Sequence, residues 1–185
     1  VSILAAPETG AAVYGYINFL LAIGLLWIVM YARWDESKLV GSFLAGAVIQ
    51  AGLGIAQFLG QSDVASKWLG MSLHRPGDLG ASVVETLAGG RWLRAYGALD
   101  HPNVLGGYLA VALLLAVYWL IKQKPGRQTA GRTAATLAVI SVLFTGLFFT
   151  FSRTAWAGFL FGLLVYLVLA YARQDGRGQR QLLKA

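Results

Sequence analysis

The chain has 185 residues, 57% of them hydrophobic and only 12% charged, with a net charge of +7 and no cysteine. That composition lies well outside the range of water-soluble domains. The missing thiols exclude disulfides, thiolate metal sites and a cysteine nucleophile, and His74 and His101, the two histidines, are too few and too scattered for a zinc site, so no metal or other cofactor is expected.

The chain begins with Val1 rather than methionine, which suggests a processed or excised chain, and no signal-peptide pattern follows. Residues 1–12, with Pro7 and Gly10, read as a tail. Residues 13–31 are apolar apart from Asn18; at about 1.5 Å per residue they reach roughly 28 Å, enough to cross a bilayer. Tyr14, Tyr16, Trp27, Tyr31 and Trp34 cluster toward the two ends of this first span, where aromatic rings favour the interface. A charged turn at 33–38 leads to a second span over 39–59, the two forming a helix pair over 13–59. Gln50 and Gln57, seven residues apart, share one helical face with Gly46 and Gly54. Lipid is a poor neighbour for amides, so they are expected to bond to another helix at small-residue contacts or to line a substrate groove.

Residues 60–103 form the longest polar section. Within it, 64–73 carries Val64, Trp68, Leu69, Met71 and Leu73 around Lys67, the pattern of a short interfacial helix, broken by Arg75-Pro76-Gly77-Asp78. A second helical piece is expected over 79–87, before Gly89 and Gly90, and His74 reads as a solvated surface residue. Residues 104–121 make the third span and 133–151 the fourth, with Pro125-Gly126 in the cationic loop between them. Ser152, Arg153 and Thr154 alone separate the fourth from the fifth, 155–171, so these two must form a tight hairpin. Gly158 and Gly162 are spaced for a close helix contact; residues 172–185 are a basic polar tail. The expected fold is an all-α, polytopic transmembrane bundle of five spans. With so much glycine and alanine, it packs by close backbone approach.

Ten of the 15 lysines and arginines lie in residues 33–38, 122–132 and the tail. This bias places those segments in the cytoplasm and explains the net charge without a nucleic-acid partner. The N-terminus, residues 60–103 and Ser152-Arg153 are then expected on the outer face.

Chemistry concentrates in RWLRAYGALDHPNVLGGY, residues 91–108, and in Ser152-Arg153. An arginine at a hairpin tip amid phenylalanines either snorkels to the headgroups or meets an anion. Arg91, Arg94 and Arg153 could together offer a fork of donors to a phosphate or diphosphate, a geometry guanidinium suits better than ammonium. Asp100-His101-Pro102-Asn103 admits three readings. Asn103 is placed to cap the third span and the four residues to pack the loop; Asp100 could orient His101 as a general base; or the group could hydrogen-bond substrate.

RAYGALDHPNVLGGYLA, residues 94–110, followed by TFSRTAWAGFL, residues 150–160, resembles the shared core of the bacterial O-antigen ligase and O-antigen polymerase family. Arg94, Gly97, His101, Pro102, Asn103, Gly106, Ser152, Arg153 and Trp156 stand at matching places, while Ala98 and Thr154 replace the usual threonine and glycine. The likeness covers residues 88–169, with 104–171 as a three-span core. It implies metal-independent transfer of a glycan from a polyprenyl diphosphate carrier to a glycan or lipid acceptor, outside the bacterial cytoplasmic membrane. It assigns Arg94 and Arg153 to the diphosphate with Arg91 as helper. Beside these, the residues themselves offer Asn103 and Ser152 as substrate contacts and Asp100 and His101 as the catalytic candidates. Family proteins carry about twice as many spans and a large outer loop beyond this hairpin, so a partial chain is expected. The competing expectation is a non-catalytic assembly subunit of a larger membrane complex. A transporter is disfavoured by the lack of an acid within the spans and of paired discontinuous helices.

Overall fold

The computed structural model describes residues 8–63, 65, 66, 71–122 and 130–182, with side chains as far as Ala172. It is an all-α, multi-pass membrane protein: five helices are long and apolar enough to cross a bilayer. The chain divides into two units after Leu39.

The first unit contains α1 (Thr9–Tyr31), in which no residue is buried. A helix that is apolar on every side belongs in lipid or among other spans. At its end the Trp34 indole donates to the Val29 carbonyl at 2.9 Å, taking up a group the last turn leaves unpaired. Asp35 then caps the start of α2 (Glu36–Gly60), its Oδ1 accepting from the amides of Ser37 at 2.8 Å and Lys38 at 3.2 Å.

The second unit comprises the rest of α2, a two-stranded antiparallel hairpin of β1 (Val83–Glu85) and β2 (Arg91–Leu93), and three helices, α3 (Pro102–Lys122), α4 (Ala130–Phe149) and α5 (Arg153–Leu182). Its core runs through Ala47 and Ala51 of α2, Leu105, Leu109 and Leu113 of α3, Leu143 and Leu147 of α4, and Ala155 and Phe159 of α5. Close approach joins the helices, as the composition requires. A Cβ at Gly146 would lie 2.8 Å from that of Ala51, and one at Gly106 would lie 2.9 Å from those of both Ser152 and Ala155. Gly158 and Gly162 do not make one contact: Gly162 abuts Leu114, while the space beside Gly158 is open.

Two local expectations are corrected. Residues 79–87 are not helical. Gly80, at φ 87°, opens a turn, and Val83 and Val84, β-branched residues suited to a pleated strand, pair with Leu93 and Trp92. The turn closes through Gly89, at φ 78°, and the Thr86 amide on the Gly90 carbonyl at 2.8 Å. Of the expected helix over 64–73, Val64 and residues 67–70 lie outside the described residues, but Ser66 and Met71 exchange both backbone hydrogen bonds at 3.0 Å as an antiparallel bridge. The fifth candidate span, Arg153–Ala172, ends where expected, and the α5 backbone continues beyond it to Leu182.

The C-terminus of α2, the hairpin, the N-terminus of α3 and the α4–α5 corner meet at one end of this unit. Phe58 of α2 stacks on Phe149 of α4 with centroids 4.1 Å apart and also meets Trp92 of β2.

Candidate functional site

Residues 93–98 pass through this end as extended chain and turn, whose backbone groups need partners. Three glutamines supply them. Gln57 is buried; its Oε1 accepts from the amides of Tyr96 at 3.1 Å and Gly97 at 2.8 Å, and its Nε2 donates to the Gly97 carbonyl at 2.7 Å. Gln50 accepts from Ala98 at 2.7 Å, and Gln61 from Leu93 at 2.8 Å. Gln50 and Gln57 thus share a face as expected, but their partner is this segment rather than another helix. Gly97, at φ 64°, is required: a Cβ there would lie 2.6 Å from Gln50 Oε1.

The clamped segment aims Arg94 between two helix ends. Its Nε donates to the Thr150 carbonyl at 2.7 Å, and its Nη2 to Asn103 Oδ1 at 2.6 Å. The first bond satisfies a carbonyl beyond the C-terminus of α4, where a cation also favours the helix dipole. Burial lowers the guanidinium from its ordinary value, with Tyr96 acting the other way. Of its five N–H groups, two are used among the described residues, leaving three for a ligand.

Arg153 enters from the other side. Phe151 takes a left-handed conformation, φ 49°, and turns the chain sharply out of α4. Ser152, buried, caps α5: its Oγ accepts from the Ala155 amide at 3.4 Å and lies 3.3 Å from Thr154 Oγ1. Ser152 therefore serves the corner, as the cap of α5. Arg153 is the first residue of α5, exposed, with no hydrogen bond or ion pair among the described residues. A cation at a helix N-terminus opposes the macrodipole, so it contributes nothing to α5 that would explain its presence.

Arg94 and Arg153 line one open cleft of about 510 Å³, with Val83, Val84 and Glu85 on one wall and Phe148, Phe151 and Trp156 on the other. Glu85 brings one acidic side chain to the same lining. Arg91 lies opposite Glu85 in the hairpin register, exposed, and is not part of the lining. Beside the cleft, an apolar groove of about 290 Å³ runs between α3 and α5, from Asn103 and Thr154 past Gly107, Ala110 and Ala155 to Val111, Leu114 and Gly158.

Asn103 does not cap α3. That helix starts two residues earlier than expected, at Pro102, whose fixed φ and missing N–H suit a first position. His101 is the cap: its carbonyl accepts from Val104 and Leu105, and its Nδ1 from the Asn103 amide at 3.1 Å. Its Nε2 lies 3.1 Å from Ser82 Oγ. Asp100 is exposed and makes no hydrogen bond to His101.

The other histidine is not simply solvated. Asp63 Oδ2 lies 2.6 Å from His74 Nδ1, and Oδ1 accepts from the His74 amide at 2.5 Å. The Asp63 side chain is 2% exposed and that of His74 25%. The imidazole stacks on Tyr96 with centroids 4.3 Å apart. No periodicity in the sequence links positions 63 and 74; only the path of the loop joins them. Both residues, with Ser72, Tyr96, Gly97 and Asp100, line a small pocket of about 90 Å³.

Comparison with protein-family models, with curated proteins and with solved structures finds no match to this chain.

Proposed function

We propose that this end of the bundle binds the diphosphate of a polyprenyl-linked glycan and supports transfer of that glycan to a glycan or lipid acceptor on the outer face of a bacterial cytoplasmic membrane. The observation that carries this reading is the cleft shared by Arg94 and Arg153. Two guanidinium groups from distant parts of the sequence, one with three N–H groups to spare and the other unpaired among the described residues, open onto the same space. Such donors hold the charge that develops on a departing diphosphate without a divalent ion. The aromatic wall and the adjoining apolar groove suit a carrier whose head is anionic and whose tail stays in hydrocarbon. The charge bias of the sequence supports the outward orientation, and the motif likeness over residues 94–110 and 150–160 supports the transfer chemistry.

The test is binding of undecaprenyl diphosphate to the natural full-length protein in nanodiscs. Arg153→Ala should weaken binding between about tenfold and a hundredfold, the value of one or two charge-assisted hydrogen bonds, with no change in melting temperature. Equal affinity of parent and variant would remove Arg153 from the site. No binding by the parent would leave the non-catalytic assembly subunit as the better account.

A further inference from the structure

Three consecutive residues of β1, Val83, Val84 and Glu85, line the cleft. Strand side chains alternate between faces, so a cavity against one face meets every second residue, whereas one lined by three in a row meets the strand's edge. Among the described residues β1 pairs with β2 alone, which leaves its other edge open. The register says which backbone groups lie there. The Arg94 amide donates to the Ser82 carbonyl at 3.1 Å and the Thr86 amide to the Gly90 carbonyl at 2.8 Å, so Ser82, Val84 and Thr86 face β2. Val83 and Glu85 therefore turn their amides and carbonyls to the free edge. Leu93, opposite Val83, agrees, since its amide turns away from β1 to Gln61. Among the described residues these edge groups have no partner, and the Glu85 carboxylate pairs with none of Arg91, Arg94 and Arg153.

We propose that the free edge of β1, together with the Glu85 carboxylate, binds the hydroxyls of the sugar joined to the diphosphate; this rests on the reading of the Arg94–Arg153 cleft given above. An acid beside two arginines weakens a site for a bare anion, so the lining suits a ligand that offers hydrogen-bond donors as well as charge. A sugar bonded to a diphosphate is such a ligand, and with the diphosphate on the arginines it has to lie in the same cleft. Its hydroxyls donate and accept, matching an edge that alternates amide and carbonyl, while the carboxylate takes hydroxyl protons in charge-assisted bonds. Across the cleft stand Phe148, Phe151 and Trp156. A sugar ring carries C–H groups on its faces and hydroxyls around its rim, so the aromatic wall meets a face and the strand edge the rim. Glu85 is thus a specificity-determining residue. It attracts the carrier that bears a glycan and repels the terminal phosphate of the bare carrier diphosphate, the product of transfer.

The experiment measures binding to the natural full-length protein in nanodiscs of two probes, the lipid-linked glycan extracted from its own host and undecaprenyl diphosphate. The parent should prefer the first. Glu85→Gln, which keeps the shape and removes the charge, should weaken the glycan-bearing probe about tenfold, the difference between a charge-assisted and a neutral hydrogen bond. The same variant should tighten undecaprenyl diphosphate about two- to fivefold, because a like charge has gone. Val83→Pro removes one edge amide that the β1–β2 ladder does not use, a place where a strand tolerates proline. It should melt as the parent does, weaken the glycan-bearing probe about three- to tenfold and leave undecaprenyl diphosphate alone. A parent without preference, or variants that change both probes equally or neither, would overturn the inference with diphosphate binding intact. Binding of neither probe by the parent would instead fell the cleft reading, and the inference with it.

Discussion

Arg94 and Arg153 reach the same cleft from regions built in opposite ways. Arg94 stands on a segment whose backbone is held by three glutamines and whose own guanidinium ties α4 to α3. Arg153 stands at a corner where the backbone is fixed by the Phe151 turn and the buried Ser152, but its side chain has no partner among the described residues. The first region spends its hydrogen bonds on position, while the second leaves a cation uncommitted. The contrast teaches that stability and binding should separate at one arginine and coincide at the other.

The largest effect should come from removing the clamp. Gln57→Leu leaves two amides and a carbonyl of Tyr96 and Gly97 without their partner, at about 1–3 kcal/mol for each buried group. The expected loss is about 3–6 kcal/mol, read as a fall of about 10 °C or more in melting temperature in detergent. Gln50→Leu, which removes one bond, should cost about a third as much. Equal effects would show that the segment is not held mainly through Gln57.

Next comes Arg94→Lys. An ammonium keeps the charge but cannot span the Thr150 carbonyl and Asn103 Oδ1 as a planar fork does. Stability should fall by about 2 kcal/mol, and undecaprenyl diphosphate binding about tenfold. Arg153→Lys, by contrast, should leave the melting temperature alone. If Arg94→Lys melts like the parent, the two regions do not differ as described.

The spans were legible because an unbroken apolar run long enough to cross leaves few alternatives, and four of the five span expectations end within three residues of the helices at the C-terminal end. The helix ends were less so, since they are set by single residues: the Phe151 turn, the Ser152 cap, and Pro102 with His101 ahead of it. Val83 and Val84 sit in a stretch whose apolar spacing suits a helix, and only the hairpin register shows which period wins. For the site, residue type pointed to Arg94 and Arg153, and the structure brings them together. It leaves Arg91 aside on the hairpin. The face shared by Gln50 and Gln57 was readable, but their partner was not, because a loop that returns to a helix leaves no periodic trace. The Asp–His pair expected of Asp100 and His101 is made instead by Asp63 and His74, for the same reason: adjacency in sequence does not turn two side chains toward each other.

The smallest expected effect isolates the apolar groove from both regions. Nothing lies within 4 Å of a Cβ at Gly158, whereas one at Gly106 would strike Ser152, Ala155 and Thr150. Gly158→Leu should therefore fill the groove between α3 and α5 without disturbing the packing, and glycine is a poor helix former in any case, so stability should hold or rise by up to about 1 kcal/mol. Binding of undecaprenyl diphosphate should weaken about three- to tenfold, while inorganic pyrophosphate, which has no tail, should bind variant and parent alike. Equal loss for both ligands would mean that the groove shapes the cleft rather than receiving the chain. No loss for either would place the tail elsewhere on the bundle and leave the two arginines to hold the head alone.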